Sequence, residues 1–185
     1  MGGLFLSPQP ALEEQASRPA GSIRMRPWRL LILLLVVAAC ARRGVTRMAP
    51  NYVGSRQPLG GNLELNVERS GQGDTAHYDL FVHWTGLYRI DLRGGQSLVV
   101  TVDSQRTVYS AGEKDVYNDM QCGNGPCLYD DRAYYPVTVQ QLRAIARARV
   151  VTVEVIGARQ RVERDFNEDN FERFRAFVDE HVTGT

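Results

Sequence analysis

The 185-residue chain predicts an α+β domain: an antiparallel β-sheet of about six strands with two helices packed against it, after a signal segment and a flexible tether. Three observations lead there. Apolar and polar residues alternate at period two through most of 62–102, with Gly-rich breaks between the runs. Near the C terminus, 138–147 and 167–182 place apolar residues at helical spacing behind capping residues. Composition is that of a globular chain, 43% hydrophobic and 23% charged with a formal net charge of +1, which excludes wholesale disorder, a polytopic membrane protein and a strongly basic nucleic-acid binder. Lys114 is the only lysine, so arginine supplies the other basic residues; they are scattered, as codon composition alone would leave them.

Residues 1–24 carry Glu13, Glu14, Pro8, Pro10 and Pro19, an acidic stretch ill-suited to precede an export signal. Translation is expected to start at Met25, with 1–24 a misassigned or disordered extension. Residues 25–39 have the layout of a signal peptide: Arg26 and Arg29, then apolar Leu30–Val37, then Ala38 and Ala39. The run from Leu30 to Ala39 makes only about 15 Å of helix, half of a hydrocarbon core about 30 Å thick, so it is too short to span.

Val37-Ala38-Ala39-Cys40 resembles the lipobox of bacterial lipoprotein precursors, although that family more often has leucine where Val37 stands. The resemblance covers the signal region only. It implies that Cys40 is acylated and becomes the mature N terminus, with Val37, Ala38 and Ala39 as recognition positions. Each buried methylene contributes about 0.8 kcal/mol, so two or three acyl chains anchor firmly. Ala41, rather than aspartate, implies sorting to the periplasmic face of the outer membrane. Residues 40–61 then read as the lipidated tether, and 62–185 as one domain. The domain's C-terminal segment is faintly similar to small uncharacterised exported bacterial proteins, which attaches no activity.

Acylation of Cys40 leaves Cys122 and Cys127 as a pair. Cys122-Gly-Asn-Gly-Pro-Cys127 permits a tight reversal, and the periplasm is oxidising, so a disulfide is expected. Four intervening residues do not suit a redox pair, and no histidine lies near enough in sequence to complete a zinc site.

The alternating runs place Leu63, Leu65 and Val67 on one face, then Tyr78, Leu80, Val82 and Trp84, then Tyr88, Ile90 and Leu92, then Leu98, Val100 and Val102. Four such runs predict a meander with one buried face. Asp103 to Ala133 is expected to be a long polar loop with a short strand near Thr107–Tyr109. Thr138 and Gln141 form a capping box ahead of Val139, Leu142, Ile145 and Ala146. Val151, Val153 and Val155 form a strand paired with 160–166 as a hairpin. Asn167 caps the last helix, with Phe171, Phe174, Val178 and Val182 along one side.

Chemistry-bearing residues are sparse. His77, Asp79 and His83 share one face of a strand and offer a zinc or copper set, but His77 and His83 stand about 20 Å apart at 3.3 Å per residue. Asp115, Asp119, Asp130 and Asp131 lack the spacing of a calcium loop. Ser104 and Ser110 lack a glycine-flanked elbow, and no phosphate-binding loop motif is present. No cofactor is therefore expected. Tyr117, Tyr129, Tyr134 and Tyr135 form a candidate interaction edge. The expected function is a non-enzymatic, membrane-anchored envelope protein held by acyl chains on Cys40, which binds another envelope protein and no nucleic acid. The alternative is a periplasmic small-ligand or metal binder using the histidine face.

Overall fold

A computed structural model of the chain describes residues 44–54 and 61–182. The extension, the signal segment with Val37, Ala38 and Ala39, and Cys40 lie outside the described residues.

The fold is α+β. Among the described residues, nine strands form two antiparallel sheets: β1 (Val45–Arg47), β2 (Asn62–Ser70), β3 (His77–Gly86), β4 (Gly95–Val102), β5 (Gln105–Ala111), β6 (Val116–Gln121), β7 (Leu128–Val137), β8 (Val151–Ile156) and β9 (Arg161–Asp165). Helix α1 (Val139–Arg147) follows β7, and α2 (Glu168–His181) follows β9. One sheet has the order β1-β2-β3-β7-β6, the other β5-β4-β8-β9. The expected single sheet of about six strands is thus two sheets sharing one core.

Period-two alternation builds that core. Leu65, Val82 and Ala133 stand side by side across β2, β3 and β7, while Tyr109, Leu98, Val155 and Val162 do so across the second sheet. All seven are buried in the same cluster as Leu142, Ile145, Phe174 and Val178 from the helices. A fully buried side chain of this size contributes about 1.5–3 kcal/mol. The sheets also meet through a polar bond, Ser97 Oγ on β4 to Tyr135 OH on β7 at 2.9 Å.

Both helices begin as expected. Gln141 N–H donates to Thr138 Oγ1 at 3.2 Å while Thr138 N–H donates back to Gln141 Oε1 at 2.9 Å; Asn167 and Asn170 exchange the same pair of bonds, each at 2.9 Å. Phe177, which the helical pattern did not single out, joins Phe174 and Val178 in the core.

Three expectations are corrected. Residues 88–92 are not a strand, so β3 and β4 are not neighbours in a meander; the chain crosses there from one sheet to the other. Ile90 and Leu92 are nevertheless buried, which is why the segment alternates like a strand. Residues 103–133 are not a loop but contain β5, β6 and the start of β7. Asp103 and Ser104 form a two-residue turn with φ of 45° and 75°, tight enough to pair Val102 with Gln105. Asp103 Oδ1 steadies it by accepting from Arg149 N–H and Val150 N–H, both at 2.9 Å.

Finally, 45–53 belongs to the domain rather than to a tether. Val45, Thr46 and Arg47 pair with Ser70, Arg69 and Glu68, and the chain continues beside β2 through Met48 N–H to Val67 O and Val53 N–H to Leu63 O. Asn170 pins this segment to α2. Its Nδ2 donates to Asn51 Oδ1 at 2.8 Å and to Tyr52 O at 2.7 Å, and its Oδ1 accepts from Asn167 N–H and Gly54 N–H.

Candidate functional site

Two regions of the described chain gather polar chemistry. The first is the outer face of the five-stranded sheet. Register places Glu64 on β2, His83 on β3 and Arg132 on β7 in one row. His83 Nε2 lies 3.1 Å from Asp130 Oδ1 and its Nδ1 lies 3.7 Å from Glu64 Oε1. Arg132 Nε donates to Asp130 Oδ1 at 2.6 Å. Hydrogen bonds from Arg132 hold the Asp130 carboxyl below the usual carboxylate range, against burial and with help from His83. Burial pushes the Glu64 carboxyl up, but bonds from His83, Tyr52 and Asn66 outweigh it and hold it low.

Beside this row, Phe81 is only 5% exposed although it sits on an outer face. The Arg47 guanidinium covers its ring at 4.6 Å from the centroid, and Tyr134 stacks on it at 4.9 Å. Arg47 also pairs with Glu68 and donates to Tyr134 OH at 3.0 Å. Phe81 is therefore covered by long side chains of its own sheet.

His77, Asp79 and His83 share this face as alternation predicts, but they do not converge. His77 stands opposite Ser70 at one end of β3, and His83 turns to Glu64 and Asp130 on the neighbouring strands. Among the described residues, no group of three or more His, Cys, Asp or Glu side chains is placed to hold a metal ion. Of the four acids Asp115, Asp119, Asp130 and Asp131, Asp119 and Asp130 stand opposite each other across β6 and β7, but Asp131 lies on the other face of β7, and the four do not converge on one point.

The second region lies at the end of the sheet away from β1, where β3 ends. Cys122 and Cys127 form a disulfide there, with Cα atoms 4.2 Å apart. They occupy the next register position after the Gln121–Leu128 pair and so close the β6–β7 hairpin. Strand β6 is a sheet edge, and Tyr117, Met120 and Leu128 on this hairpin are about half exposed. Tyr117 meets Tyr134 edge-on at 6.4 Å. Tyr129, on the same hairpin, is half-buried. Tyr135 departs from the expected edge. It points into the core, fully buried beside Ser97, and burial pushes its hydroxyl up to about 12. Adjacent residues on a strand face opposite ways, so Tyr134 and Tyr135 could not share one surface.

Next to the hairpin runs the crossover 87–94. It has no strand ladder, yet its backbone is fixed from all sides. Trp84 Nε1 donates to Tyr88 O, Arg159 N–H to Ile90 O, Ala158 N–H to Asp91 O, Asn118 Nδ2 to Leu92 O and Ser97 Oγ to Arg93 O. From below, one oxygen of the fully buried Asp131 accepts from Ile90 N–H at 2.9 Å and Asp91 N–H at 3.0 Å. Gly157 is required here because a Cβ would overlap the Ile90 carbonyl.

The sequence marks Asp131 only as one of four scattered acids and 88–92 only as a strand, and it singles out neither the crossover that Asp131 supports nor Arg159. One signal was available: Asp131 has the parity of Ala133, Tyr135 and Val137, which marks a carboxylate on a core-facing side.

No protein-family model, curated protein or solved structure matches the chain.

Proposed function

We propose that the chain is a lipid-anchored envelope protein whose domain is a non-enzymatic binding module for another envelope protein. The observation that carries this reading is the stapled β6–β7 hairpin. It presents Tyr117 on the β6 edge strand with Leu128 of β7 on the same face and Met120 on the opposite face, where a partner pairing with β6 gains main-chain hydrogen bonds as well as apolar contact. A disulfide at the tip reduces the ordering cost of binding through such an edge.

The fold sharpens the anchoring part of the proposal. Five residue steps separate Cys40 from the first paired residue, Val45, and span at most about 17 Å. Acyl chains on Cys40 therefore hold the β1 end close to the bilayer, and β2, nine residues long, lets the hairpin end stand up to about 30 Å further out. The leash is short, and the binding edge is displayed away from the lipid on the periplasmic side of the outer membrane.

Two measurements test this. Cys40→Ser is expected to abolish signal cleavage and sedimentation with membranes; unchanged processing and sedimentation would overturn the anchor. A photo-cross-linking residue at Tyr117, Met120 or Leu128 in intact cells is expected to capture one and the same protein, while a residue at Val150, exposed on the other sheet's connection, captures none. Failure at all three hairpin positions would overturn the binding edge.

A further inference from the structure

Arg89, Arg93 and Arg159 converge on one carboxylate. Arg89 Nη2 lies 3.4 Å from Asp91 Oδ1, Arg93 Nη2 3.4 Å from Asp91 Oδ2, and Arg159 Nε 3.9 Å from Asp91 Oδ2. Arg89 also faces the Asp131 carboxylate beneath, so three guanidiniums around two carboxylates leave one positive charge uncompensated, and the two exposed guanidiniums, Arg93 and Arg159, share Asp91. The separations are those of loose ion pairs, so most of the planar N–H donors remain available. Arg93 and Arg159 are 71% and 65% exposed, whereas the Asp91 side chain is 17% exposed. The other neighbours do not cancel the charge that remains. Arg161 is committed to Glu154 on the adjacent sheet, and Glu113, lying against Gly94, bounds the patch on one side only.

The backbone beneath is the second observation. Asp91 adopts φ of 65°, a left-handed conformation that costs free energy for a residue with a side chain. It persists because the carbonyls of Tyr88, Ile90, Asp91, Leu92 and Arg93 and the N–H groups of Ile90 and Asp91 are all bonded. A crossover that merely joined two sheets would not need a strained residue at its centre. This one holds Asp91 where it draws together arginines from two separate segments, the crossover and the 157–160 turn. A rigid display of guanidiniums is what recognition of a tetrahedral or planar oxyanion requires.

We propose that this cluster is a binding site for a phosphate monoester group, held by Arg93 and Arg159 with Arg89 and Asp91 positioning them. Geometry and charge select the group: a phosphate monoester is anionic at neutral pH and offers three strong acceptor oxygens to the exposed N–H forks of Arg93 and Arg159. This site is independent of the hairpin edge and of the lipid anchor.

The test is a titration of the purified full chain with inorganic phosphate and with glycerol phosphate, followed by phosphorus NMR and calorimetry. In parallel, flotation with vesicles of phosphatidylcholine, with and without phosphatidic acid, is compared. Saturable binding near a dissociation constant of about 1 mM is expected for the soluble phosphates. Arg93→Gln with Arg159→Gln is expected to weaken it more than about tenfold, the loss of roughly 1.4 kcal/mol. Arg173→Gln, an exposed arginine on α2, is the control and should change nothing. Flotation that needs phosphatidic acid and is lost in the double variant identifies a lipid headgroup as the source; binding of the soluble phosphates alone identifies a soluble one. Absence of saturable binding, an unaffected double variant, or an equal loss in Arg173→Gln would each overturn the site. Unchanged circular dichroism of the variants separates lost binding from lost folding.

Discussion

Asp131 is the keystone of the crossover, and its removal gives the sharpest test of how the two sheets are joined. Asp131→Ala deletes the single oxygen that accepts from Ile90 N–H and Asp91 N–H. Ile90 is fully buried, and neither donor gains another partner. An unsatisfied buried donor costs about 1–3 kcal/mol, so the variant is expected to lose about 2–5 kcal/mol. With a urea dependence of about 1–3 kcal/mol per molar, the unfolding midpoint falls by at least about 0.7 M. Asp131→Asn keeps an acceptor in place and is expected to lose less than about 1.5 kcal/mol. The two variants also differ in pH dependence. Burial pushes the Asp131 carboxyl above its ordinary 3.8, against the bonds from Asp91 and Ile90. The folded state then binds the proton more tightly than the unfolded state does. The contribution of Asp131 is accordingly lost as pH rises from 3.8 through the raised value, and the asparagine variant lacks that component of the pH profile. Urea unfolding followed by circular dichroism across the acid range reads both effects. An alanine variant within about 0.5 kcal/mol of wild type, or an asparagine variant as damaged as the alanine one, would refute this account of the crossover.

Asn170→Ala removes the clamp on 45–53 and is expected to cost about 2–4 kcal/mol, with hydrogen exchange at Asn51 and Val53 rising before the rest of the sheet. Replacing Cys122 and Cys127 together by serine should cost no more than about 2 kcal/mol, because the loop they close is short; a thermal or urea midpoint measures it. Glu64 and Asp130 are held below the usual carboxylate range, so their contribution is present above that range and is lost as pH falls through their lower folded values. His83→Ala should therefore shrink the acid-side loss of stability, seen as a flatter pH profile of the unfolding midpoint. Tyr135→Phe breaks the inter-sheet bond to Ser97 and should cost about 1 kcal/mol by the same assay.

The strands β2, β3, β4 and β8 and both helices were legible because each carries its own local signal. Period-two alternation marks a half-buried strand, and a hydroxyl or amide three residues before its partner marks a helix start. The Cys122–Cys127 bridge was legible for the same reason, since four turn-forming residues leave the two thiols little choice. Strand β5 was legible only as the short piece expected near Thr107–Tyr109, and β6 was not legible at all. Strand β6 is exposed along nearly its whole length and has no apolar face to alternate, so its structure comes from pairing with β7.

Burial and pairing partner are different properties, and the chain writes down only the first. Ile90 and Leu92 alternate as a strand does because both are buried, yet their backbone groups bond to Asp131, Asn118 and the 157–160 turn rather than to a ladder. Met48, Asn51 and Val53 show no period at all, and they are ordered only because β2 offers an edge and Asn170 a clamp. The amino-acid order by itself determined which stretches bury apolar surface, where the helices begin and which cysteines join. Tertiary structure alone decided that there are two sheets, that the domain begins by Val45, and that three arginines meet at Asp91. Those outcomes depend on hydrogen bonds and charges brought together from segments far apart in the chain, and no local pattern encodes a partner that lies many residues away.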